Sequence, residues 1–209
     1  MSRILKTVIV NGSLGKPSRT RSLLDSLHLQ LGQTLGQTAE PVRLDVRHID
    51  LVDLVADIGP VLYKDALSAQ ARDALEAIET ADFLIVGSPV YRGSLPGLLK
   101  HLFDLVDQHA LQGTPVLLAA TGGSPRHSLV LDHQLRPLFG FFSALTLPIG
   151  VYATPEDIQG GVVVSEALHK HIALAVDLAV PVLSALAHSQ RSSLRSSQPA
   201  LHALERQAA

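Results

Sequence analysis

Val8-Ile9-Val10-Asn11-Gly12-Ser13-Leu14-Gly15-Lys16-Pro17-Ser18-Arg19-Thr20-Arg21-Ser22-Leu23-Leu24 is the stretch on which the reading of the chain rests. Residues 5–11 are apolar and β-branched with little alternation, as a strand buried on both faces requires. Leu23, Leu24, Leu27 and Leu31 then fall on one helical face, and Gly32 and Gly36 mark the expected end of that helix. A helix start carries unpaired N–H groups and a partial positive charge, so a strand, a tight turn and a helix in this order make a place for an anion. Ser13, Ser18, Thr20 and Ser22 add hydroxyl donors, and Arg19 and Arg21 add positive charge. The same residue types also favour helix starts without any ligand, so the turn alone does not decide between a cap and a binding site.

The pattern repeats outward from this stretch. Val42–Val46 predicts a second strand, and residues 50–66 read as irregular. Ala69–Thr80 predicts a helix, and Phe83-Leu84-Ile85-Val86-Gly87 a buried third strand. Ser94 is placed to cap a helix over about 95–108, with Pro96 tolerated in its first turn. Pro115–Thr121 predicts a fourth strand, residues 128–143 a helix, and Leu147–Tyr152 a fifth strand that Pro148 pushes to an edge. The last helix spans about 163–189 and contains Pro181, and residues 190–209 read as a polar tail, mobile or weakly helical. Five strands alternating with five helices predict one α/β domain over 1–189, with a doubly wound parallel sheet. In such a sheet the ligand crevice lies at the C-terminal strand ends where strand order reverses. Loops 12–20, 88–94 and 121–127 have the composition for that position.

Composition narrows the chemistry. Hydrophobic residues make up 46% of the 209 residues and charged ones 17%, which fits a folded domain. A net charge of −2 without a long basic run argues against nucleic acid as a partner. With no cysteine, thiol, disulfide and iron–sulfur chemistry are excluded, so a redox role needs a bound cofactor. No stretch reads as a membrane span and Met1–Lys6 lacks an apolar signal core, so a soluble, cytoplasmic protein without a membrane partner is expected.

Two familiar phosphate motifs fail here. Gly12 and Gly15 have the wrong spacing for the dinucleotide fingerprint. Gly15-Lys16-Pro17 lacks both the upstream glycine and the hydroxyl residue of a P-loop. A hydroxyl-lined turn suits a single terminal phosphate, such as that of FMN. Ser88-Pro89-Val90-Tyr91-Arg92-Gly93-Ser94 supplies an aromatic, a cation and backbone N–H groups for a flat ring with acceptor edges, and Thr121-Gly122-Gly123-Ser124 allows close backbone approach on the facing side.

Gly12-Ser13, Pro17-Ser18-Arg19, Ser88-Pro89-Val90-Tyr91-Arg92-Gly93, Leu99-Lys100-His101-Leu102-Phe103-Asp104 and Ala120-Thr121-Gly122-Gly123 together resemble the NAD(P)H-dependent FMN reductases of flavodoxin-like fold. Among these the resemblance is greatest to the reductase components of two-component alkanesulfonate and methanesulfonate monooxygenase systems. It covers about residues 4–185 and implies the strand order 2-1-3-4-5. It also implies hydride transfer from NADH or NADPH to FMN, and delivery of reduced FMN to a separate monooxygenase. A homodimer or homotetramer with helices 95–108 and 128–143 at the interface is implied as well, in keeping with their apolar residues on more than one face. Carried over by position, Ser13, Ser18, Arg19 and Thr20 hold the phosphate, Pro89, Val90, Tyr91, Arg92 and Gly93 flank the ring and ribityl chain, and Thr121, Gly122 and Gly123 close the site. The rival within enzymes is an FMN-retaining quinone or azo reductase. The rival outside them is an electron carrier, which the balance of 17 basic against 19 acidic residues disfavours.

His133 stands where alkanesulfonate-system relatives carry an inserted tyrosine in a π-bulge. Pro137 has no N–H, so the His133 carbonyl loses its helical partner and a local bulge is expected, with a role in flavin exchange. Direct hydride transfer needs no side-chain base, and none is assigned. His169 and His171, two apart on a helix, make a poor metal pair, and no metal is expected.

Overall fold

The computed structural model describes residues 3–189, so the expected tail at 190–209 lies outside the described residues. Its main sheet is built from β1 (Arg3–Asn11), β2 (Val42–Asp50), β3 (Phe83–Pro89), β4 (Pro115–Thr121) and the short β5 (Leu145–Thr146). All are parallel in the order β2-β1-β3-β4-β5, the flavodoxin-like arrangement expected from the sequence. Every residue of β3 and β4 is buried, which explains why their sequences are unbroken apolar and small residues.

Two cores flank the sheet. One face carries α1 (Arg19–Gly36) and α6 (Glu166–His188), with Leu23, Leu24, Leu27 and Leu31 of α1 packed against Ile9 and Ile85 and the buried edge of α6. The other carries α2 (Val55–Ile58), α3 (Ala69–Glu79), α4 (Gly97–Asp104), a π-helical turn at Leu131–Leu135, and α5 (Arg136–Phe141). Phe103 of α4 meets Phe139 edge to face at 4.9 Å and anchors the second core.

Several boundaries differ from the sequence reading, each for a local reason. Helix α1 ends at Gly36, one of the two glycines expected to mark its end, and passes through the other, Gly32, since its leucine stripe continues to a fully buried Leu35. Strand β2 extends to Asp50 because it pairs with β1 along its whole length, ending in the register pair Asn11–Asp50. The fifth strand position is split: Leu145–Thr146 pairs with the start of β4, and β6 (Val151–Ala153) pairs with its end. Pro148 lies between the two pieces and cannot donate to a ladder.

Ser94 does not cap α4, which starts at Gly97 after Pro96 with no side-chain cap. The 128–143 segment is one π turn followed by the short α5, preceded by a 3-10 turn at Pro125–His127. Residues 158–163 form a small antiparallel hairpin of β7 (Ile158–Gln159) and β8 (Val162–Val163). Helix α6 is long and apolar enough to cross a bilayer by length and composition, which corrects the expectation that no such stretch exists. Here it lies against the sheet and α1, burying Leu168, Ile172, Val176 and Leu183.

Candidate functional site

Parallel register brings the three candidate loops to one edge. Asn11 is aligned with Gly87, Pro89 with Thr121, and Thr121 with Ala153, so β1, β3, β4 and β6 end together. The loops leaving them are joined by hydrogen bonds. Gly12 donates its N–H to the Gly87 carbonyl (2.7 Å), Val90 donates to the Thr121 carbonyl (2.7 Å), and Gly122 donates to the Ala153 carbonyl (3.1 Å). Gly12 has no room for a side chain, since a Cβ there would lie 2.9 Å from the Gly87 carbonyl oxygen and 2.6 Å from Leu99.

In the first loop Ser13 is buried and turned inward, its Oγ 3.3 Å from both the amide and the carbonyl of Gly15. Ser18 caps α1, its Oγ accepting from the Arg21 amide at 3.1 Å. That bond uses a lone pair and leaves the hydroxyl hydrogen for a ligand. The first intrahelical bond runs from the Ser22 N–H to the Ser18 carbonyl (3.2 Å), so the Arg19 and Thr20 amides precede the ladder and face the loop end. Arg19 is exposed, and among the described residues it has no ion-pair partner. Thr20 is buried and its Oγ1 lies 2.7 Å from that of Thr121, so both hydroxyls brace the first loop against the third.

Arg21, read from the sequence as a further charge for an anion, points elsewhere. Its guanidinium donates to Asp25 (2.8 Å) and to Asp50 (2.9 Å). Burial alone would lower its pKa, but the two carboxylates outweigh this and raise it. Lys16 likewise pairs with Asp53 at 2.6 Å. Of the three cations around the loop, Lys16 is thus paired with Asp53 and Arg21 with both Asp25 and Asp50, while Arg19 is left unpaired among the described residues.

The second loop is a tight two-residue turn. The N–H and carbonyl of Tyr91 pair with those of Ser94 (2.8 and 3.1 Å), with φ of 53° at Arg92 and 83° at Gly93. Both central residues in the left-handed region define a type I′ turn, which explains glycine at 93. The turn presents Tyr91 at 43% exposure beside the exposed Arg92, with Pro89 buried and Val90 half-buried beneath. Ser94 Oγ donates to Gln134 in the π turn (3.1 Å), which ties this loop to the segment carrying His133. His133 itself is exposed on that turn.

In the third loop Gly122 is buried and Gly123 exposed. A Cβ on Gly122 would lie 2.1 Å from the Tyr152 hydroxyl, which donates to the Ser124 carbonyl at 2.7 Å. Tyr152 therefore covers Gly122 and sets the path of the loop, and burial raises its pKa. Asn11, Asp50 and Tyr152 were not singled out by sequence reasoning. The mutual bracing of Thr20 and Thr121 also appears only in three dimensions.

Residues 5–185 match the family model described as NADPH-dependent FMN reductase. The chain is 52% identical over 182 residues to an FMN reductase (NADPH) of Pseudomonas aeruginosa, covering 87% of this chain and 94% of that one. It is equally 52% identical over 182 residues, with the same coverage, to the NADH-dependent FMN reductase SfnF of Pseudomonas fluorescens. Among solved structures, an oxidoreductase from Corynebacterium diphtheriae superposes with a TM-score of 0.74 at 33% identity, over 86% of this chain and 97% of that one. The chain belongs to the NADPH-dependent FMN reductase family.

Proposed function

We propose that the protein is an NAD(P)H:FMN oxidoreductase in which FMN is an exchangeable substrate held across the three loops. The observation carrying this reading is the convergence of loops 12–18, 90–94 and 121–124 at adjacent strand ends, cross-linked through Thr20–Thr121 and Val90–Thr121. Gly12, packed against the Gly87 carbonyl and Leu99, and Gly122, packed under Tyr152 and Val90, leave no room for a Cβ, so the loops keep this close approach only with glycine at both positions. Bound FMN supplies the acceptor for hydride from the nicotinamide.

The protein's part is binding and orientation. The Arg19 and Thr20 amides, the Ser18 hydroxyl hydrogen and the Arg19 guanidinium hold the terminal phosphate. With its hydroxyl engaged by Thr121, Thr20 contributes through its amide. Tyr91 and the Arg92-Gly93 turn wall one side of the ring, and the Gly122-Gly123 backbone walls the other. Because Lys16 and Arg21 are neutralised by carboxylates, Arg19 is the one cation of this loop left for the phosphate among the described residues. That balance fits a flavin that leaves after reduction better than one kept permanently.

The finer reading is that reduced FMN passes to a flavin-dependent alkane- or methanesulfonate monooxygenase, in a cytoplasmic two-component system. The name of the Pseudomonas fluorescens relative SfnF supports it. A homodimer or homotetramer is proposed on the α4–α5 face. There Leu95, Phe103, Val106, Pro137, Leu138 and Phe141 line an open, largely apolar groove of about 970 Å³, and Phe141 is 68% exposed.

The deciding experiment follows NADH and NADPH oxidation with and without added FMN, after removal of bound flavin by gel filtration. Turnover that depends on free FMN supports the reading. Protein that stays yellow and reduces a quinone without added FMN would replace it with the prosthetic-group alternative.

A further inference from the structure

The C-terminal end of β2 contributes no residue to the three loops, yet it carries a carboxylate that touches both ends of the first one. Asp50 lies beside Asn11 in the β1–β2 register, and its Oδ1 accepts from the Asn11 side-chain amide at 2.7 Å. Its Oδ2 accepts from Arg21 Nη1 at 2.9 Å. The Asn11 amide oxygen, fixed by that contact, accepts from the Ser13 N–H at 3.2 Å. One carboxylate thereby holds the residue where the loop leaves the sheet and the residue where it enters α1. Lys16 to Asp53 secures the middle.

An acid this close to an anion site is unfavourable by simple electrostatics, because like charges repel and Arg21 is drawn away from the ligand. The Asp50 side chain is only 20% exposed, so this cost is not fully screened by solvent. Its benefit is positional. A seven-residue loop bound at both ends presents its amides in one arrangement, and an anion that binds it does not first have to order it.

We infer that Asp50 is a positioning residue for flavin recognition, acting through Asn11 and Arg21 to hold the 12–18 loop in its phosphate-binding shape. The inference rests on the reading that this loop takes the phosphate of FMN. The test compares oxidised FMN with riboflavin, which lacks the phosphate, by quenching of flavin fluorescence on titration with flavin-free protein.

The wild type binds FMN more tightly than riboflavin. In Asp50→Ala this preference falls by about tenfold or more, the scale expected for losing hydrogen bonds to a charged group. Riboflavin affinity and the maximal rate at saturating FMN stay within about twofold, since the ring-binding loops are untouched. Asp50→Asn keeps an acceptor for Asn11 but loses the charge pair with Arg21, and it gives an intermediate loss. It also carries the test if the alanine variant does not fold.

An Asp50→Ala protein that keeps the wild-type preference, or binds FMN more tightly because Arg21 is released, overturns the positioning role. A wild type with equal affinity for the two flavins overturns the phosphate-loop reading itself, and with it the inference.

Discussion

The hydroxyls of Thr20 and Thr121 lie 2.7 Å apart in a buried contact that joins the first turn of α1 to the end of β4. Neither residue is near the other in sequence, and among the described residues neither hydroxyl has another hydrogen-bond partner. Replacing either threonine by valine leaves one buried hydroxyl unpaired and costs about 1–3 kcal/mol, whereas replacing both is close to neutral. Thermal or urea unfolding of the two single variants and the double variant reads this as a double-mutant cycle. Single variants no less stable than the wild type would show that the contact carries no weight.

Gly122 and Tyr152 form a second such pair. Alanine at 122 would place its Cβ 2.1 Å from the Tyr152 hydroxyl and 3.2 Å from the ring carbon bearing it, so the ring must swing away and release the Ser124 carbonyl. Gly122→Ala is expected to raise the KM for FMN about tenfold or more, as a displaced loop costs the site its shape. Adding Tyr152→Phe removes the closest clash and recovers part of that loss. Steady-state kinetics of the double variant decides it, and a double variant worse than Gly122→Ala counts against the steric account.

The loops themselves were legible in the sequence, because glycine, hydroxyl residues and buried apolar strands announce their positions by type. The bracing among them was not. Asp50 is not legible because the sequence pattern of β2 reaches only to Val46, whereas pairing with β1 carries the strand four residues further. Tyr152 belonged to a strand whose division around Pro148 only the pairing with β4 reveals. Ser94 looked like a helix cap by residue type, yet it closes the Tyr91 turn because two residues of positive φ fold the chain back first. The π turn was legible, since a proline's missing donor is a covalent fact independent of tertiary context.

The α4–α5 groove predicts an assembly. Phe141, exposed beside Phe142 at a ring separation of 5.3 Å, is the residue that a second copy would cover. Phe141→Arg is expected to shift the protein to a smaller species in light scattering coupled to gel filtration, with its secondary structure unchanged. A wild type that runs as a monomer at micromolar concentration would remove this interface.

Stability should fall on mild acidification through His28 and His48, whose rings meet edge to face at 6.1 Å between α1 and β2. Burial lowers both pKa values below the usual imidazole value, and the nearby Arg21 adds to the effect. The unfolded chain therefore binds more protons than the folded one at pH values between the depressed folded pKa and about 6.5. Stability is fully present above that range and is lost as pH falls through it. Asp73 and Asp157, lowered below ordinary carboxylate values, act only in more acid solution. Melting temperatures from pH 7.5 to 5.5 should decline in the wild type, and less steeply in His28→Gln or His48→Gln. Equal slopes in all three would assign the decline to other groups.

The π turn offers the last test. The Arg136 N–H donates to the Leu131 carbonyl, five residues back, and Pro137 cannot supply the donor that the His133 carbonyl would meet in a regular helix. The same turn reaches the proposed flavin site through the hydrogen bond from Ser94 to Gln134. Deleting His133 removes the extra residue, lets the segment close as an ordinary helix, and shifts Gln134 relative to Ser94. The deletion variant is expected to elute from gel filtration with FMN still bound and to turn over more slowly because release limits it. Ser94→Ala, which cuts the link but keeps the π turn, separates the two contributions: flavin retention in the deletion but not in Ser94→Ala assigns exchange to the turn itself. A deletion variant that loses FMN as readily as the wild type would leave His133 as a surface residue with no part in exchange.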